Sequence, residues 1–352
     1  MLPKVFVVGL IAGVAVAISP AFGEDDPTVV EKVIVYNWEN YIPDGVLEDF
    51  TRETGVKVQY STFDNNEVMY ARLKLLKGRG YDVLVPSVNL VGRMGDEGLL
   101  QPLQKDKLDN LKYLDPDLLN RSYDPENKFS IPYLWGSTGI GVNTAKVKVS
   151  TIKKWEDLWD NQWRGKLLLT DDMGEVFAIA LKVTGHSINT TDPEEIKDAY
   201  DKLHKLMPNV KVITSDPRPD FLSDKVELGI TWNGEMAVLQ EKNPAFQYIY
   251  PADGASFWID SFVIPARADN VDNAHKFINY MMRPEVAARC VKDLGYATAN
   301  LKGKSLLDAS LRNNPVIFPP AGLPSSTEFR MDVGREAFDL YQLYWNKLKA
   351  DE

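Results

Sequence analysis

Short apolar runs alternate with amphipathic stretches from Val33 onward, and no other property of the sequence restricts its fold as tightly. Residues 33–37, 56–62 and 81–86 have the length and branched apolar content of strands. Between them, residues 43–54 carry Val46, Leu47 and Phe50 at helical spacing and stop at Gly55, and residues 66–77 read as the next helix. Strand and helix alternating in this way indicate a parallel sheet with helices on both faces, whose ligands bind beyond the carboxyl ends of the strands. Trp38 and Ser87 stand at such ends.

The middle of the chain repeats the style after a crossing segment, 131–143, in which glycines permit bending and close approach. It is expected to be a first hinge strand. A helix at 155–159, a strand at 166–170, helices at 172–183 and 193–206, and a strand at 226–231 followed by a helix after Asn233-Gly234 come next. Residues 256–264 read as a second crossing strand, 274–282 and 285–294 as helices separated at Arg283-Pro284, 301–326 as a surface loop, and 332–348 as a last amphipathic helix. Two crossings make the domains discontinuous. The expected organisation is lobe 1 from 28–136 and 259–310, lobe 2 from 137–258, and a C-terminal loop and helix, 311–352, packing near the hinge and lobe 2.

Residues 1–23 carry one basic residue, an apolar run shorter than a comfortable bilayer span and small residues before Glu24, the pattern of a cleavable secretory signal peptide. Removing them leaves 329 residues (352 − 23), enough for two lobes with a cleft between them. Because that segment carries Lys4 and no acid, the remainder has a net charge of −11 (39 − 50), which disfavours nucleic acid and attracts cations. Cys290 is the single cysteine, read as a buried helical thiol, and the three histidines are scattered without ligand spacing, so no metal or cofactor is expected.

Carboxylates and aromatics recur together near the strand ends: Trp38, Glu39 and Tyr41; Asp172 and Glu175; Trp232; Trp258 and Asp260; Tyr296. A carboxylate neutralises an ammonium, while an aromatic face packs on methylenes and attracts cations by about 0.5–2 kcal/mol. A polyamine has both properties. Each residue also has a plainer reading: Asp172 and Glu175 as a helix cap, Asp260 as the partner of an internal Arg or Lys, Trp232 as core. Phosphate cradles, nucleophile elbows and zincin motifs are missing from the sequence. An acid pair in a cleft leaves glycoside hydrolysis as the enzymatic alternative to non-catalytic binding.

Tyr36-Asn-Trp38, Glu53-Thr-Gly55, Tyr81-Asp-Val-Leu-Val-Pro-Ser87, Ile131-Pro-Tyr-Leu-Trp-Gly136, Leu167-Leu-Leu-Thr-Asp-Asp172, Trp232-Asn-Gly234, Phe257-Trp-Ile-Asp-Ser261 and Asp332-Val-Gly334, in this order, resemble the periplasmic spermidine/putrescine-binding proteins of bacterial ABC importers. The resemblance implies an α/β, two-lobed type II periplasmic solute-binding fold, each lobe a mostly parallel sheet flanked by helices and joined by hinge crossings. It further implies a periplasmic, non-enzymatic monomer that binds a polyamine and docks on an inner-membrane permease with its cytoplasmic ATPase. Trp38, Tyr41, Ser87, Asp172, Glu175, Trp232, Trp258, Asp260 and Tyr296 match the family's pocket. Three positions depart from that pattern: Glu39-Asn40 displaces an acid by one residue, Asn89 replaces an aromatic, and Arg330 replaces a glutamine. Arg330 is expected either to face solvent or to pair with Glu39 or another site acid, which would shift preference from a triamine toward a shorter diamine; a solute-binding protein for another cationic ligand is a further alternative.

Overall fold

A computed structural model describes residues 31–350. The signal-peptide reading of residues 1–23 lies outside the described residues. The chain begins with a parallel group, β1 (Lys32–Trp38), β2 (Lys57–Phe63) and β3 (Val83–Leu84), joined through α1 (Val46–Thr54) and α2 (Asn66–Leu75) and followed by α3 (Val88–Asp96). A single 14-residue strand, β4 (Ser130–Asn143), then leads to a second parallel group, β5 (Leu167–Thr170), β6 (Val210–Thr214) and β7 (Leu228–Trp232). Helices α4 (Met173–Thr184), α5 (Pro193–Leu206), α6 (Arg218–Leu222) and α7 (Asn233–Lys242) serve this group, and β8 (Phe246–Ile249) pairs beside β4.

The chain returns along β9 (Ser256–Val263) to α8 (Val271–Met281), α9 (Pro284–Leu294), β10 (Ala297–Thr298), α10 (Leu301–Leu306) and α11 (Ala309–Arg312). It ends with β11 (Glu328–Phe329) and α12 (Gly334–Ala350). Strand order is β2-β1-β3-β9-β4-β7-β5-β6. The antiparallel strands β9 and β4 therefore occupy the middle, with one parallel group on each side.

Core packing follows the same division. Ile131, Tyr133 and Leu134 of β4 pack with Val33, Phe50, Phe262 and Phe277. Farther along the same strand, Ile140 and Val142 pack with Trp155, Leu167, Phe177 and Trp345. One strand thus enters both cores. Gly136 lies between these halves, where a Cβ would collide with the Trp258 ring and the Asn233 amide, so only glycine lets β4 pass this close.

Several elements differ from expectation for local reasons. The first helix begins at Val46 rather than residue 43 because Gly45 is left-handed (φ 79°). Only Val83–Leu84 of 81–86 forms a ladder: the Asp82 carboxylate accepts the Ile34 N–H at 2.8 Å, while the Ser87 N–H turns to the Asn66 side chain. Residues 155–159 form a 3-10 helix, in which the Asp157 carbonyl accepts the Trp163 indole N–H instead of continuing an α-helical ladder. The expected loop 301–326 contains α10 and α11, capped by Asn300 and Asp308, and its Val316, Ile317 and Phe318 are buried. Strands β6 and β8 escaped the sequence reading because each is short, only partly buried and interrupted by a polar residue. Cys290 is a buried thiol in α9, 3.3 Å from the Tyr133 hydroxyl.

Phe262 on β9 is fully buried against Tyr133 and Phe277, with ring centroids 4.5 and 6.2 Å away. Phe262→Ala should cost about 3–5 kcal/mol, through lost transfer energy and a cavity between the crossing strands. Urea denaturation should show the loss as a lower midpoint; a midpoint within error of the parent would mean the site collapses around the smaller side chain.

Candidate functional site

The carboxyl ends of β1, β3, β5 and β7 converge on a cleft beside the crossing strands, and the cleft encloses about 770 Å³, part of it open to solvent. Trp38, Glu39, Tyr41, Ser87 and Tyr296 line it from the side of the first parallel group, Asp172, Glu175 and Trp232 from the second. Trp258, Asp260 and Arg330 complete the set. Every site residue singled out in the sequence therefore borders one cleft.

Asp260 is 4% exposed and sits on β9 opposite Leu134. Among the described residues no Arg or Lys forms an ion pair with Asp260, which corrects the plainer reading of this residue. Its oxygens instead accept the Ser87 hydroxyl at 2.6 Å and the Tyr41 hydroxyl at 2.7 Å. The Ser87–Asp260 bridge between strand ends sets this contact, and Asn66 fixes Ser87 by donating from its amide at 3.1 Å. Burial raises the Asp260 carboxyl to about 7; the two hydroxyls oppose that shift, and Asp172 and Glu175 reinforce it. Burial, followed by the adjacent Asp260 charge, also pushes the Tyr41 phenol well above its ordinary range. Asp260 is an acceptor with no cation supplied by the described protein.

Aromatic faces surround it. Trp258 meets Tyr296 edge-on at 5.4 Å, Tyr41 lies 5.5 Å from Tyr296, and Trp38 stacks obliquely on Phe63 at 4.6 Å. The indole nitrogens of Trp38 and Trp258 are buried without a protein partner. Trp232 is half-buried at the end of β7, its ring against the first core, so it is both a packing residue and a wall.

Asp172 caps α4, and both it and Glu175 line the cleft. The Asp172 carboxylate accepts the Glu175 N–H at 3.0 Å at the start of α4. Arg330 then reaches both acids, its Nη1 lying 3.2 Å from Asp172 Oδ1 and 3.2 Å from Glu175 Oε1. It pairs with these acids and not with Glu39, which stays exposed on the rim, nor does it turn to solvent: its side chain is 13% exposed. Burial opposes the Arg330 charge, but Glu175, Asp172 and Glu67 more than offset this, leaving its pKa above the ordinary value. Glu175, 2% exposed, is pushed upward by burial against the lowering influence of Arg330 and of the nearby Ser256 and Thr138 hydroxyls, and its Oε2 is itself buried. Glu67 on α2 is partly exposed, yet desolvation of its carboxyl and then the Asp172 charge lift it to about 7.

Sequence reasoning missed a second ion pair. Glu235 on α7 takes Arg218 Nη2 at 3.1 Å and the Tyr296 hydroxyl at 2.9 Å, which ties the two sides of the cleft together. Both are ordinary helix residues, and only their tertiary meeting marks them. Phe63, Asp64, Ser215 and Asp216 also line the cleft, and Asn89 does so where an aromatic was expected. The lining holds seven carboxylates against two guanidiniums, a formal balance of −5 (2 − 7). Among the described residues, no group of His, Cys, Asp and Glu is placed to hold a metal ion. Acidic walls faced with aromatic rings suit a slender apolar cation.

The model of bacterial extracellular solute-binding proteins matches residues 45–317. A spermidine/putrescine-binding periplasmic protein of Escherichia coli is 45% identical over 337 residues, covering 96% of this chain and 95% of its own. A putrescine-binding periplasmic protein of the same organism is 34% identical, with 99% of each chain covered. Among solved structures, a putative spermidine/putrescine ABC transporter protein from Listeria monocytogenes superposes with a TM-score of 0.87 at 35% identity, over 92% of this chain and all of that one. A spermidine/putrescine ABC transporter substrate-binding protein from Streptococcus pneumoniae gives 0.75 at 36% identity, over 91% and 99% of the two chains.

A carboxyl titrating near 7 in the native state and near 4 in the unfolded chain retains its proton on folding between those values, so its contribution to stability is present at low pH and lost as pH rises through 7. Asp260→Asn should therefore gain stability relative to the parent between pH 5 and pH 8, by roughly 2–3 kcal/mol. Parallel thermal melts across that range should show the two curves separating as pH rises; parallel curves would mean Asp260 titrates as an ordinary carboxylate.

Proposed function

The chain belongs to the bacterial extracellular solute-binding proteins, and from that premise we propose that it is the periplasmic polyamine-binding component of an ABC importer, taking putrescine or spermidine into its cleft. One observation carries the choice of ligand: Asp260 is buried among aromatic rings with hydroxyl partners and no cation. A bound ammonium supplies the missing counter-charge, and the methylene chain packs on Trp38, Trp232 and Trp258. The opposing Asp172 and Glu175 hold another part of the ligand.

The function is binding and release, without covalent chemistry. Segments 31–136 and 259–310 act as one lobe and 137–258 as the other, with the C-terminal segment packing near the hinge and its last helix on the second lobe. A ligand touching both sides binds the closed form more tightly and shifts the hinge equilibrium toward it. The closed protein then delivers its cargo to an inner-membrane permease driven by a cytoplasmic ATPase. Export through the N-terminal segment, followed by its cleavage, would place the mature protein in the periplasm.

Calorimetry on stripped, refolded protein should show saturable binding of putrescine or spermidine, and none of a neutral sugar. Micromolar affinity corresponds to about 8 kcal/mol. Release of reducing sugar from an oligosaccharide would favour the glycosidase alternative. Asp260→Asn should weaken amine binding at least about tenfold, or 1.4 kcal/mol, while the protein remains folded. Because the cation binds the ionised carboxylate, affinity should also fall by up to about tenfold per pH unit as pH drops below 7. A pH-independent affinity between 5.5 and 8 would rule out Asp260 as the ammonium's partner.

A further inference from the structure

Arg330 is held in the cleft by its backbone. The segment carrying it runs beside β9, where the Arg330 N–H donates to the Phe257 carbonyl at 2.8 Å. On one side Glu328 pairs with Lys182 and Ser187; on the other, Asn189 accepts the Met331 N–H at 2.8 Å and donates to the Phe329 carbonyl at 2.9 Å. Asp332 is then fastened to Arg93 of α3. Residue 174 is glycine where the guanidinium passes, and a Cβ there would overlap it. With the segment pinned and the space cleared, the guanidinium has little freedom to leave Asp172 and Glu175.

The charges at that end of the cleft do not balance. Asp172 and Glu175 share one guanidinium, which leaves a formal charge of −1 (1 − 2) on the cluster, and Glu175 Oε2 is itself buried, near the Ser256 and Thr138 hydroxyls. Asp260 likewise lacks a cationic partner. Two uncompensated charges therefore remain for a ligand, one at Asp260 on the central strand and one shared by the Asp172–Glu175 pair.

We propose that Arg330 sets the number of ammonium groups the cleft accepts: it takes one ionic position between Asp172 and Glu175, leaving Asp260 and the residual charge of that pair to an aliphatic diamine and excluding a third ammonium. This inference rests on the polyamine reading of the cleft. A third ammonium near Asp172 would meet a permanently charged guanidinium in a poorly screened setting, where like charges repel strongly. Glu67, the remaining acid that senses Arg330, is lifted to about 7 and so offers less than a full counter-charge at neutral pH.

Calorimetry at neutral pH with putrescine, spermidine and the single-ammonium probe 4-aminobutanol, on the parent protein, Arg330→Gln and Arg330→Lys, tests this directly. The parent should bind putrescine at least about tenfold more tightly than either other amine. Arg330→Gln should improve spermidine binding about tenfold and putrescine binding by less than about threefold, whereas Arg330→Lys, which keeps the charge, should retain the parent's preference. A parent that favours spermidine, an equal change for both polyamines in Arg330→Gln, or Arg330→Lys behaving as Arg330→Gln would overturn the role of Arg330 while leaving polyamine binding intact. Failure of the parent to bind any amine would overturn the polyamine reading itself, and this inference with it.

Discussion

A carboxylate inside an apolar strand is the constraint around which the cleft is organised. Asp260 interrupts Trp258-Ile259 and Ser261-Phe262 on β9, and an isolated ionised carboxylate at that depth is costly unless it gains a counter-charge. Hydroxyls from Tyr41 and Ser87 meet its hydrogen-bonding needs without neutralising it. The group thus remains folded but electrostatically unsatisfied, with a pKa near 7. Such a residue costs stability in the free protein and returns that cost when a cation arrives, a trade expected at functional sites and not in ordinary cores.

Topology brings the other groups to it. The antiparallel pair β4 and β9 fills the centre of the sheet, so residues on β9 sit between two parallel groups whose strands end at the same cleft. Trp38 and Ser87 arrive from the ends of β1 and β3, Trp232 from the end of β7, and Asp172 with Glu175 from the start of the helix after β5. Contacts such as Tyr296 with Glu235, and Arg93 with Asp332, span the two sides of the cleft. Apolar contacts cross as well, Trp232 packing on the first core and Phe338 of α12 meeting Tyr70 at 6.3 Å.

The sequence revealed much of this because several signals were local. Strand and helix alternation marked the parallel groups, and Asp260 stood out as a charge within an apolar run, whatever its neighbours. Asp82 was misread as part of a longer strand because its role depends on Ile34 and Asn270, distant in the chain. Glu235 and Arg218 look like any surface helix residues until α6 and α7 bring them together. Arg330 stood out only against the family pattern, as a cation where a glutamine is expected, and its partners depend on the course of the C-terminal segment beside β9 and on the missing side chain at Gly174. Anomalous charges were legible; their partners, set by tertiary packing, were not.

The central claim is that a ligand cation pairs with Asp260, and proton counting tests it most directly. Polyamine titrations at pH 6.5, repeated in buffers of different ionisation enthalpy, give the number of protons released on binding. Since the free carboxyl titrates near 7, the account predicts net release of a large fraction of one proton by Asp260, and a correspondingly smaller release from Asp260→Asn measured at saturating ligand. Identical proton release by the two proteins would contradict it.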